Sequence, residues 1–219
     1  MATLTMTAFV TLDGVMQAPG GPEEDGSGGF THGGWLVPYV DQAFGEFMTA
    51  VFSRPVAFLL GRGTWQIFAG HWPKVTDPDD LVARKLNGLP KYVASRTLAS
   101  VDWAGSRLVR DVPGEVAALK RTLGDGELQV HGSPGLGQAL LQHGLIDELN
   151  LLTFPVVLGS GKRLFGGGAA PAAFELVTSR ASSSGVVLAC YRRSGRPMYG
   201  SVPPPSSDRS GRPVRPAGR

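Results

Sequence analysis

A glycine, an arginine and a threonine follow an apolar run near residue 60 and could bind a phosphate group. The run Phe58-Leu59-Leu60 leads into Gly61, and Arg62 and Thr64 come next. If the run is a strand that feeds a helix, free backbone N–H groups, the guanidinium and the hydroxyl would all face an anion at the helix start. The same residues would also suit an ordinary strand-to-helix turn, so both interpretations stay open for this segment.

A second glycine-rich turn, residues 131–136, has similar chemistry. The sequence His-Gly-Ser-Pro-Gly-Leu follows Leu128-Gln129-Val130 and opens a helical pattern, which makes phosphate binding at that helix start a hypothesis. Its spacing is not the Gly-x-Gly-x-x-Gly of a Rossmann fold, and the Gly-Ser-Gly-Lys at 159–162 lacks the remaining residues of a P-loop. Ser133 is also a candidate nucleophile of a serine hydrolase, although His131 stands where the Gly-x-Ser-x-Gly motif has its first glycine.

Histidine and cysteine positions give no support to a metal or thiol centre. The histidines lack the spacing of metal ligands, so we predict no metal site and interpret each one as a surface or loop residue. Cys190 is the single cysteine and lies in the apolar run 186–191, which predicts a buried, unreactive thiol. The histidines are His32, His71, His131 and His143.

The basic character of the chain is concentrated at its end. Residues 194–219 contain five arginines and one aspartate, so the net charge of +3 becomes −1 for residues 1–193. A basic face across the fold, which nucleic-acid binding would need, is therefore not expected. Neither a basic leader pattern nor an apolar stretch of spanning length occurs, so we expect no membrane association and a cytoplasmic location.

Hydrophobic periodicity predicts eight strands and five helices, which alternate through the first two thirds of the chain. This alternation favours an α/β fold with a mostly parallel, mixed sheet flanked by helices, and the strand-rich end from residue 149 favours antiparallel strands at its C-terminal edge. The predicted strands are 3–11, 56–61, 91–95, 107–110, 128–132, 149–157, 174–178 and 185–192, and the predicted helices are 37–52, 64–68, 79–87, 114–123 and 135–143.

Composition divides the chain into one domain, residues 1–193, and a disordered tail, residues 194–219, that is rich in Pro, Ser, Gly and Arg. Within the domain, the glycine-rich segment 18–34 is predicted to be a long loop, and loops of that length in compact domains often serve as functional lids. Ligands of open α/β sheets bind at the carboxyl ends of the parallel strands. The glycine-rich turns fall at such ends and would suit an extended, phosphorylated ligand such as a dinucleotide.

Six motifs occur in order between residues 3 and 193, and together they resemble a known family. They are Thr11-Leu12-Asp13-Gly14, Leu60-Gly61-Arg62-Gly63-Thr64-Trp65, Tyr92-Val93-Ala94-Ser95-Arg96-Thr97, Val130-His131-Gly132-Ser133, Gly144-Leu145-Ile146-Asp147-Glu148-Leu149 and Pro155-Val156-Val157-Leu158-Gly159-Ser160-Gly161. The set resembles the dihydrofolate-reductase-like superfamily. Within it the chain is most similar to stand-alone relatives of the C-terminal reductase domain of the bacterial bifunctional riboflavin-biosynthesis deaminase-reductase. No deaminase motif occurs, so the resemblance implies the reductase half alone.

The resemblance implies NADPH as the cofactor, bound across the carboxyl ends of the central strands. Arg62 and Thr64 would hold the 2′-phosphate and the pyrophosphate, and Ser95 and Arg96 would complete the adenosine-phosphate pocket; an NAD site would instead show an acidic residue. The other implied contacts are Phe9 and Met16 near the nicotinamide, Gly61 at a close backbone approach, and Gly132, Ser133, Gly135 and Leu136 around the pyrophosphate and ribose.

The implied reaction is hydride transfer to a C=N or C=O group of a small pyrimidine-like or pterin-like heterocycle. Asp13 and Asp41 are the candidate catalytic carboxylates that would orient the substrate or relay a proton. Glu46, on the same predicted helix as Asp41, and Trp35, after the glycine-rich segment, are candidate substrate contacts. An exposed helix position for Asp41 and simple surface packing for Trp35 stay open as alternatives.

The chain departs from the riboflavin-pathway reductases at two places. Those enzymes carry a lysine six residues before the Asp-Gly pair, where this chain has Thr7, and their loop for the ribose phosphate does not resemble the segment 18–34. The substrate, 5-amino-6-(5-phosphoribosylamino)uracil in those enzymes, is therefore left open. The alternatives are a non-catalytic protein that binds or senses NADPH, and a serine hydrolase. The resemblance, together with the apolar residues 149–158, also implies a homodimer.

Overall fold

A computed structural model describes residues 1–166 and 169–202 of the protein. Each of the eight predicted strands is confirmed, and together they form one sheet. The strands are β1 (Thr3–Thr11), β2 (Pro55–Gly61), β3 (Lys91–Ala94), β4 (Ser106–Val109), β5 (Glu127–His131), β6 (Glu148–Phe154), β7 (Ala173–Ala181) and β8 (Val187–Gly195). Their order in the sheet is β4-β3-β2-β5-β1-β6-β8-β7.

The sheet is mixed, as the sequence predicts. The six strands from β4 to β6 pair in parallel, whereas β8 pairs antiparallel with β6 on one side and with β7 on the other. β8 continues to Gly195, two residues beyond the predicted end of the domain. Most of the predicted tail, residues 203–219, lies outside the described residues.

All five predicted helices are present, with one correction at a helix start. They are α1 (Gln42–Ser53), α2 (Arg62–His71), α3 (Leu81–Gly88), α4 (Val112–Thr122) and α5 (Pro134–Gln142), and short 3-10 turns span Ser27–Gly29, Val37–Tyr39 and Trp72–Lys74. The predicted start of α1 at residue 37 is wrong. The Asp41 carboxylate accepts a hydrogen bond from the Phe44 N–H at 2.9 Å and so fixes the first turn of α1 after residue 41. None of the helices in the described part of the chain has the length and apolar character needed to cross a bilayer.

Helices cover both faces of the sheet because side chains of a strand alternate between the faces. On one face Leu4 and Met6 of β1 pack with Val116 of α4 and Leu140 of α5. The opposite face is covered by α1, α2 and α3, whose buried aromatic and aliphatic residues pack on β2 and β3. The central strands are therefore buried between helices on both faces.

A fully buried lysine anchors the start of β3. The Lys91 ammonium donates to the carbonyl oxygens of Leu86 at 2.7 Å and Leu89 at 2.8 Å, and lies 4.5 Å from the centre of the Trp103 ring. These carbonyls belong to the end of α3 and the turn after it, where the helix dipole favours a positive charge. Burial lowers the pKa of Lys91 to about 8. Lys91 therefore fixes one end of the strand that leads to Ser95 and Arg96.

The glycine-rich segment 18–34 is a loop that contains one 3-10 turn, and it is tied to the body of the protein. The Gln17 amide donates to the carbonyl oxygens of Asp25 and Ser27, each at 2.9 Å. The Lys162 ammonium contacts the Asp25 carboxylate and the Ser27 hydroxyl, each at 2.6 Å. These contacts hold the loop against the carboxyl end of β1.

Candidate functional site

The carboxyl ends of the central parallel strands open into one cavity of about 1530 Å³. Pockets for a single small ligand measure about 300–1000 Å³, so this cavity has room for a larger ligand or for two. The starts of α2 and α5 form one wall, and the segment from Met16 to Ser27 forms part of another. The cavity lies where open α/β sheets bind their ligands.

The structure brings together every residue that the sequence analysis assigned to the cofactor. All eleven line the cavity: Phe9, Met16, Gly61, Arg62, Thr64, Ser95, Arg96, Gly132, Ser133, Gly135 and Leu136. The four residues assigned to catalysis or substrate, Asp13, Trp35, Asp41 and Glu46, are not among those that line it. The cofactor set therefore shares one cavity, and the catalytic and substrate set does not.

Gly61 allows the first turns of α2 and α5 to meet. A Cβ atom added at Gly61 would lie 2.2 Å from the Ser133 hydroxyl oxygen, a distance that no side chain tolerates. The Thr64 and Ser133 hydroxyl oxygens are 2.7 Å apart and share a hydrogen bond. Two helix starts therefore face the same point of the cavity, with two hydroxyl groups between them.

The backbone near Ser133 is held in an uncommon conformation. Among the described residues, the non-glycine residues with positive φ are Ala18, at 48°, and Ser133, at 60°, and both line the cavity. Such conformations persist only where the surrounding structure enforces them, and they concentrate at functional sites. The starts of α2 and α5, both within the described residues, receive no hydrogen bond from a capping side chain, so their N–H groups can meet an anion.

Three exposed arginines surround this end of the cavity. Arg62 donates to the Thr97 hydroxyl at 3.1 Å, and Arg110 donates to the carbonyl oxygens of Ser95, at 2.7 Å, and of Leu98. Arg96 is exposed at the same rim. Guanidinium groups and free N–H groups together suit a phosphorylated ligand, so the donor set fits the phosphates of a dinucleotide. The sequence analysis missed Arg110, although its position just after β4 is the same kind of strand end as that of Arg62.

The other half of the cavity is apolar and aromatic. Phe9 of β1 packs against Phe44 of α1, with ring centres 5.6 Å apart, and Met48 and Phe52 extend this surface along α1. Thr7 and His131 supply the polar side chains of this half from the sheet. A flat, weakly polar ring fits such a surface.

The interpretation of His131 as a surface or loop residue is wrong, because its side chain is buried in the cavity floor. Its ring stacks on Phe52, with centres 4.6 Å apart and planes 14° from parallel, and its Nε2 lies 2.9 Å from the Gln129 side-chain oxygen. Burial lowers the pKa of His131 to about 4, so the ring is neutral at pH 7. The alternation of β5 was the available signal, since residues 129 and 131 share one face of that strand.

Asp13 forms structural hydrogen bonds and does not line the cavity. Its carboxylate accepts hydrogen bonds from the Thr11 hydroxyl at 2.6 Å, from the N–H groups of Leu158 and Gly159, and from Arg163. The Thr11 hydrogen bond and the three other donors hold the pKa of Asp13 well below its usual range. A carboxylate held this way is a poor proton relay and instead joins β1 to the segment after β6.

The remaining predicted carboxylates and Trp35 also have structural partners. Asp41 caps α1 and accepts from the N–H of Ser184 and the hydroxyl of Ser183. The Phe44 hydrogen bond and these two donors hold its pKa well below the usual range. Glu46 is exposed and pairs with Arg180 at 3.4 Å. Trp35 is buried, and its indole N–H donates to the Gln17 carbonyl at 2.8 Å.

Neither Ser133 nor Cys190 has the surroundings of an activated nucleophile. In the described part of the chain, the Ser133 hydroxyl pairs with Thr64, and no histidine donates to it or accepts from it. Nε2 of the neighbouring His131 is already paired with Gln129. Cys190 is partly buried, where the sequence analysis predicted a buried thiol. The geometry therefore favours anion binding at Ser133 over serine hydrolysis.

Comparison with known sequences connects the cavity to one family. The family model described as the RibD C-terminal domain matches residues 2–188. The uncharacterized protein YyaP of Bacillus subtilis is 29% identical over 188 residues, which cover 85% of this chain and 92% of that protein. The range matched by the family model includes all of the residues that line the cavity.

Solved structures share the fold. A protein from Shewanella sp. PV-4, provisionally described as a riboflavin biosynthesis protein, aligns with a TM-score of 0.65 and 23% identity over 89% of this chain and 99% of its own. A pyrimidine reductase-like protein from Corynebacterium diphtheriae aligns with a TM-score of 0.60 and 13% identity, covering 88% and 92%. The deaminase/reductase of Thermotoga maritima aligns with a TM-score of 0.56 and 16% identity over 88% of this chain and 57% of its own.

Proposed function

The chain belongs to the RibD C-terminal domain family, and from that premise we propose that it is a cytoplasmic NADPH-dependent reductase of a small pyrimidine-like or pterin-like heterocycle. The observation that carries the proposal is the division of the cavity. One half offers two free helix starts, two hydroxyl groups and three arginines, and the other half offers an aromatic surface. A phosphorylated dinucleotide and a flat substrate would occupy these halves side by side.

Residues at the charged end account for the choice of NADPH over NADH. Arg62 and Arg96 would pair with a 2′-phosphate, and Arg110 would support them by fixing the loop from Ser95 to Leu98. The N–H groups at the starts of α2 and α5 would meet the pyrophosphate. When bound, NADPH supplies the hydride.

The protein's own contribution to the reaction is orientation and exclusion of water. Phe9 and Met16 line the cavity, and the loop held by Lys162 covers its side. A ring seated against Phe44 and Phe52 would meet the reduced cofactor in a fixed geometry. Asp13 and Asp41 have no place in this step, because their carboxylates are bonded elsewhere.

The proposal includes a homodimer formed through the C-terminal edge of the sheet. β7 is an edge strand of the described sheet, and its exposed side chains include Leu176 and Val177. An exposed apolar edge strand tends to pair with another chain. Pairing of two copies through β7 would cover this surface.

Titration of NADPH and NADH into the full-length protein tests the cofactor assignment, with Arg96→Ala and Arg107→Ala as paired variants. Arg107 is an exposed arginine of β4 that does not line the cavity. We expect tighter binding of NADPH than of NADH, loss of that preference in Arg96→Ala, and its retention in Arg107→Ala. Failure of both cofactors to bind would overturn the proposal.

Oxidation of NADPH in the presence of a panel of pyrimidines and pterins separates the reductase from its nearest rival. Substrate-dependent loss of NADPH absorbance is expected. Binding of NADPH without oxidation by any compound would favour a protein that binds or senses the cofactor.

A further inference from the structure

We infer that His131 and Thr7 form an acceptor and donor pair that selects substrates with a neutral cis-amide edge, an N–H group beside a C=O group. The inference rests on the proposed function, because it specifies which heterocycles the aromatic half of the cavity accepts. Both residues line the cavity, and neither was assigned a role by the motifs.

The hydrogen bonds of Gln129 determine the tautomer of His131. The Gln129 amide nitrogen donates to the Val51 carbonyl at 2.8 Å and to the Glu127 carboxylate at 2.7 Å. Since both amide hydrogens are used, the Gln129 oxygen faces His131 and accepts from its Nε2. Arg54, 3.4 Å from Glu127, holds the outer end of this chain of contacts. His131 is therefore protonated on Nε2, and its Nδ1 is a free acceptor.

The Nδ1 atom of His131 opens to the cavity. No described residue donates a hydrogen bond to it. If Nδ1 were also shielded from solvent, it would be a buried polar atom without a partner, and among the described residues the Thr5 hydroxyl oxygen is the one such atom. Nδ1 is therefore not sealed. The stacking on Phe52 fixes the plane of the ring, so the direction of this acceptor is fixed as well.

Thr7 supplies the matching donor from the neighbouring strand. Thr7 of β1 is the register partner of His131 in the parallel pair of β1 and β5, so both side chains project from the same face of the sheet. The Thr7 oxygen accepts from the Asn150 amide at 3.2 Å, which leaves its own hydrogen to donate. The pair thus presents an acceptor and a donor side by side, complementary to the N–H and C=O of a lactam or imide.

The apolar surroundings give this pair its power to discriminate. Phe9, Phe44 and Phe52 line the same half of the cavity, so a polar group that finds no partner there is costly. Sites that hydrogen-bond a substrate N–H reject analogues without it more strongly than apolar pockets reject an extra methylene group. A substrate lacking the N–H would leave Nδ1 unpaired.

The test uses 2-pyridone, which carries the cis-amide edge, and N-methyl-2-pyridone, which lacks the N–H. Long-range ¹H–¹⁵N spectra of the full-length protein report the tautomer of His131 directly and its response to each compound. We expect an Nε2–H tautomer, a shift of the Nδ1 resonance with 2-pyridone, and weaker binding of the N-methyl compound by about tenfold or more. In the natural protein, an Nδ1–H tautomer of His131 or equal affinity for the two compounds would already overturn the inference.

Three variants and one cofactor titration complete the test. His131→Phe and Thr7→Val should each lose the preference for 2-pyridone, while His131→Gln, which keeps an acceptor, should retain part of it. Persistence of the full preference in His131→Phe would also overturn the inference. NADPH titration of the same samples keeps the two proposals apart, because absence of NADPH binding with intact discrimination would remove the reductase assignment and leave the recognition pair standing.

Discussion

Thr64 and Ser133 join the first turns of α2 and α5 through a hydrogen bond between hydroxyl oxygens 2.7 Å apart. The contact is possible because Gly61 has no Cβ, and because Ser133 adopts a positive φ of 60°. It aligns two helix starts that are about 70 residues apart in sequence on one point of the cavity. The proposed anion site therefore depends on the meeting of two helices.

Gly61→Ala should separate these helix starts. The added methyl group would overlap the Ser133 hydroxyl, so we expect unfolding free energy to fall by about 1–3 kcal/mol and NADPH affinity to fall with it. Urea unfolding and cofactor titration measure the two effects. Gly70→Ala, in the same helix but facing open space, is the matched control and should stabilise the protein slightly. Equal behaviour of the two variants would contradict the close approach.

Asp41→Ala should behave as the loss of a helix cap. We expect unfolding free energy to fall by about 0.5–2 kcal/mol while NADPH affinity and any substrate turnover stay unchanged, because Asp41 does not line the cavity. Glu46→Ala, which removes an exposed ion pair on the same helix, should change stability by less than about 0.5 kcal/mol. Loss of turnover in a stably folded Asp41→Ala protein would restore Asp41 as a catalytic residue.

His131 should make stability depend on pH between its two pKa values. The unfolded chain takes up a proton near the ordinary pKa of 6.5, whereas the folded protein does so only at about 4. The unfolded state binds more protons in this window, so unfolding free energy should fall by about 3 kcal/mol as pH drops from 6.5 to 4. Subtracting the curve of His131→Phe, in which the nearby pair of Arg54 and Glu127 is retained, isolates this contribution. If unfolding free energy depended on pH in the same way in both proteins, folding would not change the pKa of the His131 ring.

Leu176→Glu should break the proposed dimer. Leu176 is 54% exposed on the edge strand β7, and two carboxylates brought together there would repel. Sedimentation velocity should show a dimer for the natural sequence and a monomer for the variant. Leu12→Glu, which places the same charge at a 63% exposed leucine outside β7, should remain dimeric. A natural protein that sediments as a monomer would refute the dimer.

The fold was predictable because its strands and helices have strong local patterns. Most strands are apolar or alternating runs bounded by glycine, proline or polar residues, and the predicted bounds differ from the observed ones by a few residues. The start of α1 was not predictable from apolar periodicity, since residues 37–40 continue the pattern and only the Asp41 cap ends it.

Residues that share the cavity could be predicted from the sequence, whereas the structural partners of the candidate catalytic carboxylates could not. Residues at the ends of strands, such as Arg62 and Ser133, lie in motifs that can be read locally. Apart from Thr11, the donors to Asp13 are 145 to 150 residues away in sequence, so the local sequence does not indicate that its carboxylate is already bonded. The same holds for His131, whose role depends on the contacts of Gln129 with α1.

The central position of β1 has a consequence for folding during synthesis. β1 leaves the ribosome before the other described strands, yet its neighbours in the sheet, β5 and β6, begin at residues 127 and 148. At 5–20 residues per second, β1 waits roughly 6–25 s for β5 to be synthesised. During that interval a nascent apolar strand has no partner, so chaperones that shield it should raise the yield of the native cavity.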